Sequence, residues 1–175
     1  ISGSITFPAN FILLASMNPC PCGFLTDPSH ECQCTDSEIR RYRRKISGPL
    51  LDRMDLTVHV QRLDYIDITS TEQAESSAVI RNRVEQARKI QEERLYAYKL
   101  HANAEMSHKL ISKMCLMTSD AANLMKQAFE KLSLSGRGYD RILKVARTIA
   151  DLSGDKKIGT VHLAEAVHFR QQEFK

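Results

Sequence analysis

The sequence predicts an α/β segment up to about residue 70 followed by an all-helical segment over 71–175, mainly α overall. Three observations carry this prediction. Phe11 to Leu14 is an apolar run without polar alternation, which suits a strand buried on both faces of a helix-covered parallel sheet. Leu56-Thr57-Val58-His59-Val60 is rich in β-branched residues and reads as a second strand. After about Gln61 the apolar period becomes helical, with no further strand pattern.

Taken in order, Ile1 to Phe7 reads as the end of a turn or strand, and residue 1 is Ile. The chain is therefore expected to be a piece of a longer protein. The first strand ends at Ala15-Ser16-Met17-Asn18, and a cysteine-rich loop follows over 18–35. Asp36 to Lys45 reads as a short basic helix capped by Thr35 or Asp36. Ser47 to Asp55 is a short turn or helix that delivers Arg53 to the second strand.

A long helix is expected from Thr71 or Ser76 to about Leu100, with Val79, Ile80, Val84, Ala87 and Ile90 on one side. Thr118-Ser119-Asp120 reads as the cap of the next, in which Ala121, Leu124, Met125, Ala128, Phe129 and Leu132 follow at helical spacing. Ser133 to Gly136 break it. Another begins near Arg137, buries Ile142, Val145, Ala146, Ile149 and Leu152, and ends at Gly154. The last, capped by Thr160, carries Val161, Ala164 and Val167.

Bulk properties narrow the function classes. Hydrophobic residues make up 42% of the chain, enough for a core, so disorder is not expected. No apolar stretch reaches the roughly 18 residues of a membrane helix and no basic-then-apolar leader is present, so a cytoplasmic protein is expected. A net charge of +4 permits contact with nucleic acid without requiring it. Five cysteines, four of them clustered, argue against a secreted disulfide framework. Cys115, among Leu110, Met114, Leu116 and Met117, reads as a small core residue.

Several residues can carry chemistry. Asn18, an amide at the C-terminal tip of a buried strand, sits where open α/β sheets bind ligands and can both donate to a phosphate oxygen and accept from a water. The bland alternative is a turn asparagine before proline. Arg53 can neutralise charge on a transferring phosphoryl group, or simply pair with Asp52 or Asp55. Arg137 opens a helix, where the dipole disfavours a cation. A phosphate at that helix start would explain it, as would a solvated basic face.

"FILLASMNPCPCG", "RYRRKISGPLLDRMDL" and "SGRGYDRILKVARTIADL", in this order, resemble the ComM/YifB group of the magnesium-chelatase-like AAA+ ATPases, over essentially the whole chain. The resemblance implies the last part of an αβα AAA+ core over 1–70 and a helical lid, the magnesium-chelatase-like C-terminal domain, over 71–175. It implies sensor 1 for Asn18, an arginine finger for Arg53 and sensor 2 for Arg137, with Arg141 and Arg147 structural. These three are the implied catalytic and nucleotide-binding residues, and ATP with Mg²⁺ is the implied cofactor of the full-length protein. The implied activity is that of a ring-forming, hexameric DNA motor, helicase-like in branch migration during recombination and natural transformation. The departure is equally specific: no GxxxxGK[ST] loop and no acidic strand end precede Asn18, so this chain alone is expected not to hydrolyse ATP. A chelatase motor subunit and a non-enzymatic zinc-stabilised binding module are the alternatives.

Two features remain. Cys20-x-Cys22 and Cys32-x-Cys34 can close round one Zn²⁺ as a tetrahedral structural site, with His30 as a substitute ligand. The C-x-C spacing is shorter than the common C-x₂₋₄-C; reduced thiols packing as small hydrophobes, or disulfides, are the other options. Arg40, Arg41, Arg43, Arg44 and Lys45, with Tyr42 among them, form either a phosphate-contacting patch on DNA or a solvated helix face.

Overall fold

The computed structural model describes residues 4–7, 11–51, 53–71 and 73–171. They fall into two compact units, Ile1–Lys45 and Ile46–Lys175. Among the described residues the first contains one helix, α1 (Asp36–Arg43). Thr35 is its cap: its hydroxyl oxygen accepts from the Glu38 N–H at 3.3 Å, and the Glu38 carboxylate accepts from the Thr35 N–H at 2.8 Å. This reciprocal pair satisfies two donors that a helix start would otherwise leave unbonded.

The all-helical second segment is as expected, whereas the expected strands are not shown. Among the described residues no β-strand forms, and the chain is mainly helical. Residues 11–14 and 56–60 take irregular conformations, with Ile12 88% and Leu14 95% exposed. The physical reason is that a strand with two apolar faces gains stability only from ladder partners and covering helices. Among the described residues neither segment has a ladder, and an α/β core is not shown.

The second unit begins with two short helices, α2 (Gly48–Leu51) and α3 (Tyr65–Thr69), and continues through α4 (Ser77–Leu95), α5 (His108–Met114), α6 (Ser119–Lys131), α7 (Gly136–Leu152) and α8 (Thr160–Gln171). Its core is drawn from α4 to α8 and centres on α7, which packs against α8, α4 and α5. Ile142, Leu143, Ala146 and Ala150 recur on one face of α7 at the 3.6-residue period. Full burial of Ile142 and Leu143 contributes about 1.5–3 kcal/mol each. Cys115 lies in this core, as expected, and burial pushes its thiol up to about 11. No helix among the described residues is long and apolar enough to cross a membrane.

Local signals locate the helix ends. Thr118 and Ser135 accept from the N–H groups of Ala121 and Gly138 and start α6 and α7. Gly154, at φ 76°, closes α7: its N–H bonds Asp151 O and the next N–H bonds Ala150 O, the paired pattern that satisfies the last carbonyls. Ser133 does the same for α6 at φ 49°, without glycine's freedom. A parallel bridge, Met117 to Ile158, joins the segments that lead into α6 and α8.

Two apolar faces differ from expectation. On α4 the buried residues are Ala87, Gln91 and Leu95, whereas Val79, Ile80, Val84 and Ile90 stay exposed. The α4 stretch that packs is its C-terminal part, where a buried polar network draws Gln91 inward. On α8 the packed residues are Leu163, Ala166 and Val167 rather than Val161 and Ala164. Here His162 is turned inward, its Nδ1 accepting from the Gly159 N–H at 3.0 Å, which sets the rotation of the helix.

Candidate functional site

In the first unit the four predicted cysteines meet. A turn bonded from the Gly23 N–H to Cys20 O, with Gly23 at φ 87°, folds Cys20 and Cys22 onto one side. Asp27 then organises the return: its carboxylate accepts from the Ser29 N–H at 2.8 Å and the His30 N–H at 3.1 Å. The Ser29 N–H holds that carboxyl down at about 2. Cys32 and Cys34 follow directly, and the Thr35 cap starts α1.

The sulfur of Cys20 lies 3.3 Å from that of Cys22 and 3.7 Å from that of Cys32, and Cys22 and Cys32 are 3.5 Å apart. All four sulfurs lie within 4.8 Å of one another. A tetrahedron of sulfurs with metal–sulfur bonds of about 2.3 Å has an edge of about 3.8 Å. The cluster therefore has the size of a tetrahedral thiolate cage. The Cys22 N–H also points at the Cys34 sulfur, 3.4 Å away.

Electrostatics argues in the same direction. The Phe24 backbone N–H lowers the Cys22 thiol to about 6. At Cys34 the Cys22 N–H works to lower the thiol, but burial and the other three cysteines push it up to about 12. Four thiolates in one small space repel unless a cation shares it. His30 is engaged elsewhere, stacked on Phe24 at 5.0 Å between centroids and 3.5 Å from the Asp27 carboxylate. The four sulfurs are thus the residues able to hold a metal, in a closed set with no position left for catalysis.

If the cage holds a metal, Cys22→Ser should abolish its binding and lower the melting temperature of the chain by roughly 5–10 °C, the shift expected for about 1–2 kcal/mol lost from a small unit. Metal analysis of the purified chain together with thermal melting checks this. A metal-free wild type, or a variant that melts unchanged, would overturn the metal reading.

Helix α1 and the turn that follows it present Arg40, Arg41, Arg44 and Lys45 to solvent, with Arg43 and Tyr42 half-buried. Lys45 Nζ lies 6.0 Å from the Tyr42 ring centroid. Asp36 and Glu38 occupy the first turn and the arginines the last, so the charge order also suits the helix dipole. Asn18 is exposed, close to Gly23 in the cysteine turn: a Cβ on that glycine would come 3.9 Å from the Asn18 amide nitrogen.

In the second unit Arg53 is exposed at the end of the α2 turn, with Nη1 donating to Pro49 O at 2.7 Å. Asp52 lies outside the described residues. Asp55 takes its ion pair from Arg141, at 2.9 Å, and the same Arg141 nitrogen donates to the Arg53 carbonyl oxygen. Arg137 is exposed in the first turn of α7, one turn ahead of Arg141. The structure thus brings the Arg53 segment to α7, the helix that carries Arg137. Spacing in sequence gives no sign of this contact, since 88 residues separate its partners.

Sequence reasoning also missed the polar centre of the helical unit. Asp151 accepts from Arg94 through both carboxylate oxygens, at 2.7 and 2.6 Å, and from Arg147 Nε at 3.1 Å. Asn103 bonds Arg94, Thr148 and Asp151, and its N–H reaches Gln91. Arg147, 1% exposed, also donates to the carbonyls of Lys156 and Asp155. The structural role expected for Arg147 follows from this burial. A signal was present only as an unusual Arg-x₃-Asp pair on the apolar face of α7.

Comparison with known proteins gives a consistent set of likenesses. Residues 74–170 match the family described as magnesium chelatase, subunit ChlI C-terminal, and residues 1–68 match that described as magnesium chelatase, subunit ChlI. The chain is 42% identical, over 97% of its length, to the competence protein ComM of Haemophilus influenzae. It is 39% identical over 95% of its length to a YifB protein of Salmonella typhimurium, and 37% identical over 95% to that of Escherichia coli. In each case it covers 32% of the relative, so the chain spans about a third of the length of the curated relatives it matches.

Proposed function

Because the chain belongs to the magnesium chelatase subunit ChlI family, we propose that it is the C-terminal part of a ring-forming AAA+ ATPase that moves DNA in the cytoplasm. The observation that carries the choice of DNA is the likeness, over 97% of the chain, to a relative named for competence. The exposed cationic face of α1 supports it, since arginines on a short helix can track phosphates. In this reading 1–70 completes an α/β core and 71–175 is the lid. The exposed apolar stretches 11–14 and 56–60 are core strands that find their ladder partners in the rest of the protein.

Asn18 serves as sensor 1, holding a water near the terminal phosphate through its amide. Arg53 is the finger that meets the nucleotide of an adjacent subunit in a hexameric ring, and Arg137 is sensor 2. All three are exposed and carry the polar or cationic groups that phosphate recognition needs. ATP with Mg²⁺ supplies the phosphoryl group whose transfer drives the motor. This sequence has no phosphate-cradling GxxxxGK[ST] loop, so that part is assigned to the remainder of the protein and the 175-residue chain is inactive alone. The four thiolates hold Zn²⁺ as a staple behind Asn18.

A second reading, a motor subunit for metal insertion into a tetrapyrrole, is favoured by the family description itself. ATP hydrolysis by the full-length protein, with and without branched DNA, separates the two. The DNA motor predicts stimulated turnover that falls as salt rises, and that loses its stimulation when Arg40, Arg41 and Arg44 are neutralised together. Turnover indifferent to DNA would move the assignment to the chelatase reading.

A further inference from the structure

Arg53 sits in a stretch with little structure of its own. Residues 54–60 have no helix or ladder, and the turn after α2 is held by short-range bonds from the N–H groups of Arg53 and Met54 and from Arg53 Nη1 to Pro49 O. Its long-range tethers come from α7 and α8. Arg141 Nη1 donates both to the Arg53 carbonyl oxygen and to the Asp55 carboxylate, and the Thr57 N–H donates to Phe169 O at 3.1 Å. Both helices are anchored in the core of the unit, so the tethers are fixed at one end. Arg141 is also the residue one turn along α7 from Arg137, on the same face.

From this geometry we infer that Arg141 is a positioning residue for Arg53. It grips the finger by its main chain, leaves the guanidinium of Arg53 to reach its target, and makes the place of Arg53 follow the place of α7. A bond to the carbonyl of the finger residue itself acts on the position of that residue without consuming its side chain. The same link joins Arg137 to Arg53 through one turn of helix: a shift of α7 on nucleotide contact is carried to the finger. This inference rests on the assignment of Arg53 as a finger, and goes beyond the structural role expected for Arg141.

The test is a double-mutant cycle in the full-length protein, reading kcat and KM for ATP in Arg53→Ala, Arg141→Ala, Arg141→Lys and the double alanine variant. A finger contributes about 10³–10⁵ in rate, and a misplacement of about 1 Å costs about 10²-fold. Arg141→Ala should therefore lower kcat by about 10- to 100-fold with KM changed less than about 3-fold. Arg141→Lys, which keeps one of the two bonds, should recover part of the loss. The double variant should be no slower than Arg53→Ala alone, because Arg141 acts only through Arg53.

Losses that multiply in the double variant would show that Arg141 acts independently and would overturn the inference. So would wild-type turnover in Arg141→Ala beside a collapsed Arg53→Ala, an outcome that leaves the finger standing. Normal turnover in Arg53→Ala would remove the finger assignment itself, and this inference with it. If Arg141→Ala does not fold, Arg141→Lys and Asp55→Asn carry the cycle: each should lower kcat and lose its effect in the Arg53→Ala background.

Discussion

Arg53→Ala in the full-length protein should lower DNA-stimulated ATP turnover by about 10³-fold or more, with nucleotide binding retained. The magnitude is that of an arginine finger, whose guanidinium meets charge that builds up on the phosphoryl oxygens only as the bond to the leaving group breaks. An interaction made only in the transition state raises kcat and leaves ground-state affinity almost untouched. The exposed position of Arg53 fits such a role, since a finger for a neighbouring subunit must face outward from its own. Its bond to Pro49 O is to a neutral carbonyl in the same turn, and a phosphate would compete well for it. Lysine at this position should restore little, because a point charge does not reproduce the planar fork. Steady-state turnover with a separate binding measurement checks the prediction; equal loss of binding and turnover would make Arg53 a general phosphate ligand instead.

Asp151→Asn should destabilise the helical unit by about 3–5 kcal/mol, the cost of leaving a buried charge without its partner. Two guanidiniums depend on this one carboxylate: Arg147 beside it on α7 and Arg94 from α4. The side chains of Asp151 and Arg147 are 0% and 1% exposed, so water cannot take the place of the lost charge. Asparagine keeps the shape and one acceptor oxygen but confronts the Arg94 fork with an NH₂ group. For a unit of this size the loss corresponds to a fall in melting temperature of more than about 10 °C. The exposed Arg83–Glu75 pair provides the contrast, bidentate in the same way at 2.9 and 3.1 Å. Glu75→Gln should cost under about 1 kcal/mol, because solvent screens both ends. Urea or thermal melting of the 175-residue chain distinguishes the two, and a similar small effect from both would mean that the buried carboxylate is not essential.

Much of the local architecture was legible from residues alone. Thr35, Ser76 and Thr118 cap helices because a short side-chain oxygen followed by an apolar period satisfies the first N–H groups wherever the chain later packs, whereas Ser135, read only as part of a helix break, proved to be the cap of α7. The four cysteines could be paired from spacing because the nine residues between them form a turn and an Asx-type loop that need no distant support. The signature that resembles the magnesium-chelatase-like group is likewise a property of the string.

What the string left undetermined depends on partners far along the chain. Phe11 to Leu14 carries the composition of a buried strand, yet composition supplies no ladder, and among the described residues the segment stays irregular and exposed. Val79, Ile80 and Val84 have the period of a packed face, yet the tertiary structure buries Gln91 instead, where its side-chain oxygen accepts from the Asn103 N–H, and Asn103 in turn bonds Arg94 and Asp151. The sequence by itself determined the basic helix after the cysteine loop, the four longer helices of the second unit, the grouping of the four cysteines and the family; it gave no sign of α3 or α5. Only the tertiary structure decided which polar residues are interior and that Arg141 holds Arg53. The physical reason is range: helical period and capping act over three or four residues, while burial of a charge depends on a counter-charge 57 residues away and the grip on Arg53 on a helix 88 residues beyond it.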